Sequence, residues 1–219
     1  MVSKTVRRFI SKKIIGVLMS ILVGRNAPDF TAPAVLGNGD IVDNMNFSET
    51  RNGKYAVVVF YPLDFTFVCP SELIALDKRV EELNRLGVEV FAISIDSHYT
   101  HNAWRNTKIS DGGIGNVKYH MVADIDHAIV KSFGIEHPEV GVALRGTFLI
   151  DQGGVVKHQV VNDLPLGRNM DEIVRMVEAL QFHENHGEVC PAGWNKGDQG
   201  MVASPNGVSE YLSSNVEVL

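Results

Sequence analysis

The chain has 219 residues, 45% of them apolar and 21% charged, with 26 acidic against 20 basic residues and a net charge of −6. This is globular composition with enough apolar surface for one sizeable core, and the acidic balance argues against nucleic acid as the main partner, since phosphate binding needs clustered Lys and Arg. Two cysteines, Cys69 and Cys190, exclude a disulfide-built secreted scaffold and fit a reducing compartment, where a surviving cysteine is more often reactive than structural.

The charge is uneven along the chain. Residues 1–18 carry Lys4, Arg7, Arg8, Lys12 and Lys13 and no acid, leaving 15 basic against 26 acidic residues in the remainder. The apolar run that follows the basic stretch is shorter than the roughly 20 residues a membrane-spanning helix needs, so stable membrane insertion is not expected. No A-x-A cleavage site follows it, and Met19 offers an alternative start. The segment reads first as a dispensable extension on a cytoplasmic protein. An export signal or an amphipathic targeting segment are the alternatives. "RNAPDF" (25–30) reads as the first strand of a domain.

"YAVVVFY" (55–61) is a continuous β-branched and aromatic run, the pattern of a strand buried on both faces. In the following "PSELIALDKRVEELNRLG", Leu73, Leu76, Val80, Leu83 and Leu86 recur at spacings of three and four, which predicts a helix with one apolar face. Pro70 suits its first turn and Gly87 its exit. "VEVFAISID" (88–96) is a second buried strand, giving a βαβ unit with a parallel pair. Ser97 is the expected N-cap of a short helix, and "SDGGIGN" (110–116) a loop. A short strand, "HMVAD", and a helix closed by Gly134 come next. "RGTFLIDQGGVVKHQVV" (145–161) reads as a β-hairpin around Gln152, Gly153 and Gly154. Asn169 and Glu172 look like a capping box for the last long helix, whose apolar face is Ile173, Val177 and Leu180. Beyond Gly187 the chain turns Gly-, Ser-, Pro- and Asn-rich and reads as an extended arm. The expected organisation is a basic extension (1–18), an α/β domain (19–180) with a central mixed sheet and helices on both faces, and a C-terminal arm (181–219).

Cys69 falls where the first core strand hands over to its helix. A free thiol titrates near pH ~8.5, and a helix N-terminus, with roughly half a positive charge and unpaired N–H groups, makes a cysteine there more acidic and more reactive. Thr66, three residues earlier, can donate to the sulfur. Pro62 and Pro70 restrict the turn, and Pro62 can shield the sulfur from water. Arg145, at the start of the hairpin, is the candidate for a basic partner. A lone cysteine is as readily a buried structural residue. The spacing P-x-x-x-T-x-x-C on a strand–turn–helix is what favours chemistry. Thioredoxins carry C-x-x-C at this junction, but the second position here is Glu72.

"FYPLDFTFVCPSE", "HNAWRNT", "GGIG", "RGTFLID" and "GEVCPAGW" together resemble the typical 2-Cys peroxiredoxins, the group of alkyl hydroperoxide reductase C subunits and thioredoxin peroxidases, over about residues 19–215. The resemblance implies a thioredoxin-like fold and a cysteine-based peroxidase for hydrogen peroxide and alkyl hydroperoxides, with no metal, haem, flavin or nucleotide cofactor. Cys69 resembles the peroxidatic cysteine and Cys190 the resolving cysteine, which the partner subunit supplies for an intersubunit disulfide. Arg145 and Thr66 resemble the residues that orient peroxide, with Pro62 as shield and Glu72 and Arg168 holding Arg145. Thioredoxin is the implied reductant, with a flavin-containing disulfide reductase second, and the implied assembly is a homodimer within a decameric ring. A holdase chaperone or a redox relay is the alternative function. The Gly112–Gly115 loop matches the family's overoxidation-sensitive members. The tail reads Tyr211-Leu212 where they carry Tyr-Phe, so intermediate sensitivity to overoxidation is expected. His183, His186 and Cys190 have a possible metal-ligand spacing, but three ligands ending in an arm are a weak signal.

Overall fold

A computed structural model describes residues 21–218, so the basic segment 1–18 and the alternative start at Met19 lie outside the described residues. The chain divides into two compact units, the first ending at Arg168 and the second beginning at Asn169.

The first unit is built on a seven-stranded mixed sheet. Its strands are β1 (Thr31–Val35), β2 (Ile41–Asn46), β3 (Tyr55–Phe60), β4 (Val88–Ser94), β5 (His120–Ala123), β6 (Arg145–Ile150) and β7 (Val156–Asn162), in the order β2-β1-β5-β4-β3-β6-β7. β3, β4 and β5 run parallel, and the other pairings are antiparallel. The continuous apolar run at β3 has its physical reason in position: the strand is buried along its whole length, as is β6.

The helices of this unit are α1 (Phe47–Arg51), α2 (Cys69–Arg85), α3 (His98–Asn106) and α4 (Ala128–Ser132). Helix α2 turns Leu73, Leu76, Val80 and Leu83 inward, as the three-and-four spacing predicts, and packs on β4. Each fully buried side chain of that size contributes about 1.5–3 kcal/mol by leaving water. Ser97 caps α3 by accepting from the Thr100 N–H, as expected. The β6–β7 hairpin turns through Asp151–Val155, where the Asp151 carboxylate accepts from the Val155 N–H at 2.8 Å.

The N-terminal part differs from the expectation. "RNAPDF" contributes a single bridge, Asn26 to Val155, and the first strand starts at Thr31. The β1–β2 hairpin has no clear signature in the sequence, for two reasons. Pro33 interrupts β1, where a shift in register between Ala32 and Ala34 accommodates it. β2 is a mostly exposed edge strand and therefore lacks apolar alternation.

The second unit holds α5 (Met170–His186) and α6 (Pro205–Asn215). Asn169 caps α5 by accepting from the Asp171 N–H, and Glu172 pairs with Arg175 one turn on. Gly187 ends α5 in the left-handed region at φ 72°, which glycine alone adopts without cost. The stretch read as an extended arm contains α6, which Ser204 caps and Pro205 opens. Among the described residues no helix is long and apolar enough to cross a membrane.

Replacing Leu76 by Ala leaves a cavity under a fully buried position of α2 and is expected to cost about 2–5 kcal/mol, read from the urea unfolding midpoint.

Candidate active site

The turn between β3 and α2 brings the expected residues together. Cys69 is the first residue of α2 and is fully buried. Its sulfur accepts from the Thr66 hydroxyl at 3.0 Å and from Arg145 Nη1 at 3.3 Å. The Thr66 hydroxyl also lies 2.8 Å from the Leu63 carbonyl, so one proton serves two acceptors. Pro62 is buried in the turn directly after β3.

Arg145 stands at the first position of β6, and the antiparallel pairing of β6 with β3 carries it to the same end of the sheet as the turn. Three partners fix it: its Nε donates to the Leu164 carbonyl at 2.7 Å, and its Nη1 donates to Glu72 Oε2 at 2.7 Å as well as to the sulfur. Arg168 grips the same carboxylate through its backbone N–H and Nε, both 2.8 Å from Oε1, and through Nη2, 3.1 Å from Oε2. Its Nη1 donates to the Gly146 carbonyl at 2.7 Å and to Thr147 Oγ1 at 3.2 Å. The three charged side chains are 2–4% exposed.

Burial pushes the Glu72 carboxyl up, but the hydrogen bonds and charge of Arg168, joined by Arg145, outweigh it and hold the group below its ordinary range. Glu72 therefore arrives as a fixed carboxylate three residues after Cys69, one helical turn away. The position that carries a second cysteine in thioredoxins is here the anchor of an arginine. Negative charge on the sulfur would meet two hydrogen-bond donors, a guanidinium and the start of a helix.

A second buried network supports the turn and had no signature in the sequence. Tyr61 donates its hydroxyl to Asp64 Oδ1 at 2.7 Å, and Asp64 Oδ2 lies 2.7 Å from His101 Nδ1. His101 Nε2 faces the Val122 carbonyl at 3.1 Å, and the Asp64 N–H donates to Asp96 at 2.8 Å. A carbonyl only accepts, so Nε2 carries a proton, and a further proton lies between Nδ1 and Asp64. Burial raises the Asp64 carboxyl above its ordinary value against the opposing pull of His101. The next residue, Phe65, adopts φ 52°, a left-handed conformation that costs an aromatic residue on the order of 1–3 kcal/mol.

The Gly112–Gly115 loop is shaped by close approach. A Cβ on Gly113 would fall on the Thr107 carbonyl, and Trp104 donates to the Gly112 carbonyl at 2.9 Å.

Cys190 belongs to the second unit. It is half-buried and donates to the Ala179 carbonyl at 3.3 Å, and both cysteines are free. His183 and His186 spend their Nδ1 atoms on the Glu188 and Phe182 carbonyls, at 2.8 and 2.9 Å. Among the described residues there is no grouping of three His, Cys, Asp or Glu suited to a metal.

The Glu72 network makes stability pH-dependent in a stated direction. A carboxyl held low in the folded state contributes stability that is full above its unfolded value, near 4.5, and is lost as the pH falls through the folded value. Glu72→Gln leaves two buried guanidinium groups without their carboxylate. It should cost about 3–5 kcal/mol at neutral pH and flatten the acid limb of stability, measured by urea unfolding from pH 7 to pH 3.

Comparison with known proteins places these features in context. Residues 23–159 match the model of the AhpC/TSA family, and residues 179–214 match the C-terminal domain of 1-Cys peroxiredoxin. The chain is 52% identical to alkyl hydroperoxide reductase C of Buchnera aphidicola over 88% of its own length and 98% of that protein. It is 52% identical to the protein of the same name from Helicobacter pylori over 89% and 98% of the two chains. Among solved structures, the reduced 2-Cys peroxiredoxin of Plasmodium vivax superposes with a TM-score of 0.84 at 46% identity, covering 88% of this chain and 99% of that one. The sheet and its helices are thus the thioredoxin-like arrangement of a known group, and the chain belongs to the AhpC/TSA family of peroxiredoxins.

Proposed function

We propose that the chain reduces hydrogen peroxide and small organic hydroperoxides through Cys69, with Cys190 of the partner subunit resolving the oxidised sulfur as an intersubunit disulfide. The observation that carries the reading is the Cys69 sulfur at the head of α2, facing Thr66 at 3.0 Å and Arg145 at 3.3 Å.

The sulfur attacks the near peroxide oxygen. The S–O bond forms as the O–O bond breaks, and the departing oxygen leaves as water or alcohol after taking a proton. Arg145 and Thr66 supply the donors that orient the peroxide and stabilise charge on the departing oxygen. Pro62 closes the pocket to water, and Glu72 with Arg168 holds Arg145 in place. The product is a sulfenic acid on Cys69.

Resolution requires movement. Cys69 is fully buried, and a disulfide tolerates Cα separations only to about 7 Å, so the first turn of α2 must open. The start of that turn has no side-chain cap. Its N-cap is Val68, which offers no side-chain hydrogen bond, so the roughly 1 kcal/mol of an ordinary cap is missing. A dithiol reductant, thioredoxin or a flavin-containing disulfide reductase, then restores both thiols. A homodimer assembled into a ring of dimers, working in the cytoplasm, belongs to the same proposal.

One equivalent of hydrogen peroxide should convert reduced wild type to a covalent dimer on non-reducing gels. Cys69→Ser and Cys190→Ser should both stay monomeric, and a disulfide-linked monomer from wild type would break the intersubunit assignment. Removing residues 208–219, which include Tyr211 and Leu212, should make the enzyme more resistant to high peroxide, measured as the rate of inactivation during turnover. An unchanged rate would remove the tail from the balance between resolution and overoxidation.

A further inference from the structure

We infer that Arg175 is a positioning residue for the resolving step: it fastens the loop carrying Cys190 to α5 and presents a positive charge to that thiol. The inference rests on reading Cys190 as the resolving cysteine.

The loop is a closed structure. Val189 and Met201 exchange backbone hydrogen bonds at 2.9 Å, which pins its two ends. Inside it, Trp194 is 4% exposed, with its ring centroid 4.8 Å from that of Phe182 on α5. Its Nε1 donates to the Asp198 carbonyl at 3.1 Å. The Trp194 carbonyl accepts from Arg175 Nη1 at 2.7 Å.

The guanidinium is aimed before it reaches the loop. Glu172, three residues earlier on the same helix, accepts from its Nε at 2.6 Å and from its Nη2 at 2.7 Å. This two-point grip fixes the plane of the fork, which lysine cannot reproduce. The second anchor of the loop is the Cys190 thiol on the Ala179 carbonyl, at 3.3 Å. Arg175 and Ala179 are four residues apart, so both anchors lie along one face of α5.

The charge acts on the same thiol. Burial pushes the Cys190 thiol up, and the Arg175 guanidinium opposes that rise. Among the charged groups nearby, Lys196 pairs with Glu178 at 2.8 Å and Glu172 pairs with Arg175 itself, while Glu188, two residues before Cys190, lends its carbonyl to His183.

The step it serves is balanced without an added oxidant. The Cys190 sulfur attacks the Cys69 sulfenic sulfur. The S–S bond forms, the S–O bond breaks, and the thiol proton leaves with the hydroxyl as water. Peroxide has already supplied the oxidising equivalent. The thiolate is the attacking species. Where it is a minor fraction, lowering the thiol pKa by one unit raises its amount tenfold but lowers its nucleophilicity, for a net gain of about threefold.

The test uses the full chain. After one equivalent of hydrogen peroxide, Cys69 oxidation and disulfide formation are followed separately by rapid quench and intact mass. Arg175→Ala should form the disulfide about three- to tenfold more slowly while Cys69 oxidation keeps its rate. In a Cys69→Ser background, Arg175→Ala should displace the pH profile of Cys190 alkylation by iodoacetamide to higher pH. Arg175→Lys should restore the profile and only part of the disulfide rate, because it keeps the charge and loses the fork. An unmoved alkylation profile or an unchanged disulfide rate in Arg175→Ala overturns the inference. If Cys190→Ser still forms the disulfide dimer, the resolving assignment itself falls, and this inference falls with it.

Discussion

The carboxylate of Glu72 is the constraint on which the site depends. It is buried, and it binds two arginines from different parts of the chain, Arg145 at the head of β6 and Arg168 beyond the hairpin. Two guanidinium groups against one carboxylate leave one positive charge in excess, and an unbalanced buried charge is costly. The sulfur of Cys69, 3.3 Å from Arg145, is where the balancing negative charge would sit. In the proposed reaction, a peroxide beside that sulfur would meet donors already fixed in direction, leaving little reorganisation for the moment of reaction.

The same geometry sets a conflict that the local backbone answers. A sulfur held by Thr66 and Arg145 is fully buried, and in the proposed cycle it must become exposed to a second thiol. The turn before it therefore combines support and weakness. Tyr61, Asp64 and His101 tie it down from within, while Phe65 holds a left-handed backbone angle and Val68 leaves the helix uncapped. Support from below is thus joined to a helix start that no side chain caps.

The two cysteines are built as opposites. Cys69 accepts hydrogen bonds, from a hydroxyl and a guanidinium. Cys190 donates one, to the Ala179 carbonyl, and burial favours its protonated form. Its loop is nonetheless an ordered structure, closed at Val189 and Met201 and packed around Trp194. An arm that merely trailed in solvent would need no such fastening.

Much of this was legible in the chain itself. The buried runs at β3 and β4 and the three-and-four spacing of α2 follow from burial and periodicity, and the spacing of Pro62, Thr66 and Cys69 follows from the needs of a thiol at a strand–helix junction. Edge strand β2, the bulged β1 and helix α6 were not legible, because exposed or Pro-bearing segments carry no apolar period. Sequence alone offered Arg145 as a basic partner from its place at the start of the hairpin, and Arg168 only through resemblance. Their convergence on Glu72 needs the pairing of β6 with β3, a long-range register that no local pattern encodes. The Tyr61–Asp64–His101 network and the grip of Arg175 on Trp194 are likewise products of tertiary structure. The sequence determined which residues could do chemistry. Folding decided which of them share a proton or a charge, because that depends on distances between segments far apart in the chain.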